Sequence, residues 1–195
     1  MLTFAAAVFF LIVTPGPGVL STAGVGSGFG FRAGLRYVTG LCLGNNLVAF
    51  LVVSGLAAIV LAEPRLRALL MVASVAYLCW LAFRIAFAGS RIAFIARADV
   101  PGMRNGLLLQ VINPKAYAVN LALYSGFAFL PASPVAEFAI KFLIANAIWI
   151  PIHLFWLWLG VTLRRLDLPP RVQRAINLAM AAAMLAVVAL ALFSA

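Results

Sequence analysis

Six long apolar runs, almost free of charge, take up most of this chain and leave little choice of fold. They are Leu2 to about Gly28, Tyr37–Ala62, Ala68–Ala88, Gly106–Leu130, Phe138–Thr162 and Ala175–Ala195. Each can cross ~30 Å of hydrocarbon at ~1.5 Å per residue. Lipid offers no partner to an open backbone, so the runs must be helices. Composition agrees: 66% of the 195 residues are hydrophobic and 9% charged, more apolar surface than a soluble domain of this size could bury. The sequence therefore predicts an all-α integral membrane protein with six transmembrane helices, forming one membrane domain over residues 1–195.

The net charge of +10 does not make a nucleic-acid surface, because the arginines cluster at the ends of apolar runs. Arg32, Arg36, Arg84, Arg91, Arg97, Arg104, Arg164, Arg165, Arg171 and Arg174 fall on one side of the membrane, ten in all. The other side has Arg65, Arg67 and Lys141. Basic residues favour the cytoplasm, so both termini are expected outside. The N-terminal run lacks the basic stretch of a signal peptide and resumes after its break, so it reads as a retained segment. Cys42 and Cys79 lie within apolar runs with no metal or disulfide spacing, and no cofactor or metal is expected.

Two of the runs are broken. "TPGPG" (Thr14–Gly18) interrupts the first and "INPKA" (Ile112–Ala116) the fourth. Pro15, Pro17 and Pro114 each remove a helical hydrogen bond and should free the carbonyls of Leu11, Val13 and Gln110. Broken backbone inside a membrane must face protein or a watery cavity. Residue counts put Pro15 ~10 Å and Pro114 ~12 Å from the inner face, with Asn45, Asn46 and His153 ~12–14 Å deep. Polar groups from four runs thus converge on one layer. Lys115 lies in that layer, where a cation costs ~2.5–3.5 kcal/mol. No acidic residue lies deep in any run, so a ligand carboxylate could serve as its counter-ion.

The halves also resemble each other. "EPRLRALLMVA" enters the third run and "PPRVQRAINLA" the sixth, and each half carries one early break. Three runs per half invert the second half relative to the first. That is a 3+3 inverted repeat with broken first and fourth helices, the halves being about 1–98 and 99–195. Gly40 and Gly44 form a G-x-x-x-G suited to close helix packing, and Gly24, Gly26, Gly28 and Gly30 suggest a flexible exit from the first run.

"TPGPG", "GFRAGL" (Gly30–Leu35), "AYLCWLAFR" (Ala76–Arg84) and "GLLLQVINPKA" (Gly106–Ala116), in this order, resemble the LysE/RhtB family of amino-acid exporters. The resemblance implies an inner-membrane transporter that exports amino acids or small derivatives and is coupled to the proton gradient. Two departures stand out: Gly18 replaces an Asp or Asn found in many relatives, and "FAFLPASP" lacks their polar Gln-Phe.

On this reading the substrate site comprises Thr14, Pro15, Gly16, Pro17, Gly18, Asn45, Asn46, Asn113, Pro114 and Lys115. Lys115 and N–H groups at the breaks would hold a carboxylate, while the freed carbonyls with Asn45 and Asn46 would hold an ammonium. An apolar wall suits a small neutral side chain. His153 is the candidate proton carrier, with a purely structural role as its alternative. The partners are a small-molecule amino acid and membrane lipid, with no nucleic acid. The oligomeric state is open, a homodimer among the options. The rival classes are a metal or inorganic-ion exporter, which would need clustered ligands, and a non-transporting assembly protein or intramembrane enzyme.

Overall fold

The computed structural model describes residues 1–14, 16–56, 62–87, 100–166 and 168–193, and among these the chain is entirely helical, with no strand. The helices are α1 (Leu2–Val13), α2 (Pro17–Phe29), α3 (Phe31–Val53), α4 (Pro64–Ala86), α5 (Met103–Ile112), α6 (Pro114–Gly126), α7 (Pro134–Arg165) and α8 (Pro170–Phe193). α3, α4 and α7 are each long and apolar enough to cross a membrane, and α1 with α2, bent by 52° at the break, makes a fourth such unit. α5 and α6 are separated by Asn113 alone.

Proline sets these boundaries. α2, α4, α6, α7 and α8 all begin on one. The first helical position needs no N–H and accepts the fixed proline φ, so Pro17 and Pro114 start helices rather than kink them. The second apolar run differs from its expected bounds. Gly30, at φ +84°, ends α2 and starts α3 at once, so α3 begins at Phe31 and not Tyr37. It stops at Val53, just before Gly55 at φ +79°. The fifth run is also longer than its apolar part, because its charges pair along the helix. Glu137 Oε1 and Lys141 Nζ are 2.7 Å apart at i,i+4, and Lys141 is only 3% exposed. Lys141 also donates to the Tyr124 carbonyl (3.1 Å), and Glu137 Oε2 accepts from the backbone N–H groups of Phe129 and Leu130. Lys141 therefore lies inside α7, within the expected fifth run, and ties down the α6–α7 connection.

Glycine decides which helices cross closely. α3 lies on α5 with Gly40 and Gly44 against the Met103 and Leu107 backbone, and Gly106 against Tyr37 and Leu41. α2 lies on α7 with Gly26 against Leu157 and Val161, and Gly160 against Ala23. Without Cβ atoms the backbones come into direct contact, and dispersion then holds helices that lipid does not drive together. Gly40 and Gly44 thus pack as their spacing suggests. Gly24 and Gly26 do not form a flexible exit: both are buried inside α2, and Gly24 faces Ile85 of α4. Only Gly30 of that series adopts a turn conformation. α1 packs on α7, α3 on α6, and α4 on α8. Buried polar groups join these contacts, with Tyr37 donating to Ser21 Oγ (3.0 Å) and Ser27 to Asn177 Oδ1 (3.0 Å).

Candidate functional site

At the first break the backbone turns extended at Gly16 (φ −149°, ψ 179°) before Pro17 opens α2. The Thr14 hydroxyl donates back to the Phe10 carbonyl (2.6 Å), so it closes α1. Pro15, part of the sequence-derived site, lies outside the described residues. At the second break Asn113 does the capping. Its Oδ1 accepts from the Lys115 N–H (3.1 Å) and its carbonyl accepts from the Ala116 N–H (3.0 Å). The Asn113 N–H in turn donates to the Gln110 carbonyl (3.3 Å). The expectation of a freed Gln110 carbonyl is therefore corrected. A tight i→i+3 bond satisfies it, as helix ends commonly do. The Lys115 N–H is likewise engaged by Asn113 and is not free for a carboxylate.

The two breaks meet through Lys115. Its chain runs across the first break so closely that a Cβ on Gly16 would lie 2.7 Å from Nζ. No carboxylate among the described residues forms an ion pair with it. Around this contact lies a pocket of about 580 Å³, mouth included. Thr14, Gly16, Pro17, Gly18, Asn45, Asn113, Lys115 and His153 all line it. Pro114 does not line it. Neither does Asn46, which faces α7: it accepts from Asn146 Nδ2 (3.0 Å) and donates to Cys42 Sγ (3.7 Å). Adjacent asparagines on a helix point about 100° apart, so only one of the pair can face the pocket.

Side-chain amides form a continuous chain along one wall. Asn120 Nδ2 donates to the Ala116 carbonyl (2.8 Å) and to Asn45 Oδ1 (3.1 Å). Gln110 Nε2 also donates to Asn45 Oδ1 (3.3 Å), and Asn113 Nδ2 donates to Gln110 Oε1 (3.4 Å). His153 of α7, also lining the pocket and 3% exposed, stacks on Trp149 with ring centroids 3.5 Å apart and planes 13° from parallel. Its Nδ1 is 3.0 Å from the Trp149 carbonyl. A carbonyl only accepts, so Nδ1 carries the proton and Nε2 of the neutral ring keeps a lone pair. Nε2 faces Gly18, where an added Cβ would lie 3.3 Å away. Gly18 is thus the neighbour of His153, and a larger residue there would press on the imidazole. Leu11, Ile12, Val19, Val119, Leu123 and Ala145 supply the apolar surface.

Asn120 and Trp149 line the pocket without having been assigned to the site from the sequence, and Gln110, expected there only through its carbonyl, lines it with its side chain engaged to Asn45. Gln110 and Asn120 had a signal, being polar residues inside an apolar run on either side of Asn-Pro-Lys. Trp149 had none, since tryptophan is common at membrane interfaces. Among the described residues no three His, Cys, Asp or Glu side chains converge as metal ligands would.

The sequence has counterparts elsewhere. The chain is 26% identical over 136 residues to a leucine efflux protein of Enterobacter sp. (strain 638), an alignment covering 67% of this chain and 64% of that protein. It thus spans somewhat less than two thirds of the length of that curated relative. No solved structure matches it. The family model for LysE type translocators matches residues 9–195, both breaks and every described pocket residue included. The chain belongs to the LysE type translocator family.

Proposed function

We propose that this protein is a secondary transporter that exports neutral aliphatic amino acids, leucine among them, across the bacterial inner membrane. The observation that carries the reading is Lys115, reaching from the second break onto Gly16 of the first with no carboxylate partner among the described residues. A zwitterion supplies the missing carboxylate, and its ammonium finds amide and imidazole acceptors on the same walls. The aliphatic wall suits a branched side chain. A cationic side chain has no acid to balance it there. The name of the Enterobacter relative points the same way. Efflux of a panel of labelled amino acids from cells with and without the protein tests this. Equal efflux of all of them, leucine included, would refute it.

In this reading the first and fourth runs each cross the membrane as a broken helix, which makes six spans with the halves inverted. Helix pairing supports it. Each broken span leans on a long helix of the other half, α1 and α2 on α7, α5 and α6 on α3, while α4 pairs with α8. Both termini then face the periplasm. A phosphatase fused after the C-terminus should be active there, and a reporter that lights only in the cytoplasm should stay dark. The reverse result would overturn the six-span arrangement.

Export against a gradient needs a coupled ion, and a proton on His153 serves that role. Histidine is the side chain that ordinarily titrates near neutral pH. It lies between the Gly18 end of α2 and the space shared with Lys115 of α6, and no carboxylate lines the pocket among the described residues. In proteoliposomes, His153→Gln is expected to lose the response of leucine flux to an imposed pH gradient while downhill exchange survives. If the variant responds as the parent does, His153 only packs against Trp149.

A further inference from the structure

We infer that Asn120 is the specificity-determining acceptor that selects for the substrate's ammonium group, and that the polarity of the amide chain fixes the substrate's direction in the pocket. The inference rests on the export reading above. Ordinarily the oxygen and nitrogen of a side-chain amide are interchangeable, and their assignment follows from their partners. Here backbone groups pin both ends of the chain. At one end the Ala116 carbonyl can only accept, so the atom that Asn120 presents to it is Nδ2. At the other the Lys115 N–H can only donate, so Asn113 meets it with Oδ1. Every amide between them is then fixed: Asn45 receives with oxygen, Gln110 gives with nitrogen and receives with oxygen, and Asn113 gives with nitrogen.

The remaining valences follow by subtraction. Both hydrogens of Asn120 Nδ2 are used, on Ala116 and Asn45, which leaves Oδ1 with both lone pairs. Among the described residues nothing donates to that oxygen, although the residue is only 4% exposed. It is also not among the sealed polar atoms that lack a partner, so it is reachable, and the pocket is the space that Asn120 lines. A buried carbonyl oxygen facing a cavity calls for a donor. His153 Nε2 is a second such acceptor, its other nitrogen being held by Trp149. Asn45 is the opposite case. Its Oδ1 already takes two donors, so toward the pocket it can only give N–H. Asn45 therefore joins Lys115 on the carboxylate side, and the ammonium-binding role that the sequence suggests for Asn45 passes to Asn120.

The test compares leucine with 4-methylpentanoate, the same carbon skeleton and carboxylate without the ammonium, as competitors of labelled leucine transport in proteoliposomes. In the parent, 4-methylpentanoate should compete roughly 10- to 100-fold more weakly, the usual range for a lost hydrogen bond to a charged group. Asn120→Leu should close most of that gap by weakening leucine while leaving 4-methylpentanoate unchanged. A merely structural role for Asn120 would weaken both competitors together. Asn120→Ser covers the case in which the leucine variant does not fold. A serine hydroxyl in a helix bonds back to the i−4 carbonyl, which keeps the Ala116 contact, and its oxygen, held against the backbone on a side chain one carbon shorter, no longer stands where the Asn120 Oδ1 stood. The gap should narrow there too. A parent-sized gap in whichever variant is recovered folded overturns the inference and leaves the export reading standing. A parent that transports no amino acid removes both.

Discussion

Lys115→Met is expected to abolish export while the protein still inserts and folds. The lysine stem lies against Gly16, and methionine fills nearly the same volume without the charge. Removing a cation from within the membrane relieves an insertion cost of ~2.5–3.5 kcal/mol, so the variant should accumulate at least as well as the parent. Transport should suffer out of proportion. A substrate carboxylate drawn out of water needs a paired cation, and breaking such a pair costs about 3–5 kcal/mol, or roughly 100-fold or more in affinity. Labelled leucine efflux at the level of cells lacking the protein, together with normal membrane abundance, is the expected pairing. Full export by a normally abundant variant would mean that the amine only lies across the break and does not bind. Lys115→Arg sharpens the point. It keeps the charge but needs more room than Gly16 leaves, so it should restore little.

The second large effect concerns stability and lies away from the binding chemistry. Gly106→Ala places a methyl group on the Tyr37 carbonyl and against the Leu41 nitrogen, both backbone atoms that cannot rotate aside. α3 and α5 must separate to admit it, and overpacking of this kind costs about 1–3 kcal/mol. The general helix preference for alanine over glycine, at most about 1 kcal/mol, offsets only part of that. Gly126→Ala is the internal control. A Cβ there meets nothing within 4 Å, so the change should leave stability within about 0.5 kcal/mol of the parent. Thermal unfolding of the purified protein in detergent should show a lower midpoint for Gly106→Ala and none for Gly126→Ala. Equal midpoints would mean that the α3–α5 crossing is looser than it appears.

Much of this was readable from residues in order. Long uncharged runs force helices, because hydrocarbon solvates no backbone group, and prolines at Pro17 and Pro114 force breaks. An uncompensated lysine beside one break, with asparagines and a histidine at matching depth, was enough to place a polar layer. Boundaries were less legible. The start of α3 follows a left-handed glycine at Gly30, and the start of α7 follows Pro134, both invisible to hydropathy.

What one chain cannot reveal in sequence is direction and partnership. Asn45 and Asn46 are identical in type and adjacent, yet only Asn45 faces the pocket, because helix rotation turns Asn46 toward Asn146. Gly24 and Gly26 look like a hinge and are packing surface, because α4 and α7 happen to press there. The sequence alone determined that the chain is helical, membrane-borne and broken at two places, since those depend on local composition and chain geometry. Only the tertiary structure decided that Lys115 of one break lies on Gly16 of the other, that His153 faces Gly18, and which end of each amide is left to bind. The first two follow from contacts between residues a hundred or more positions apart or nearly so, the third from pairings of α3 with α5 and α6, and a hydrogen bond's sense is set by the partner that packing brings to it.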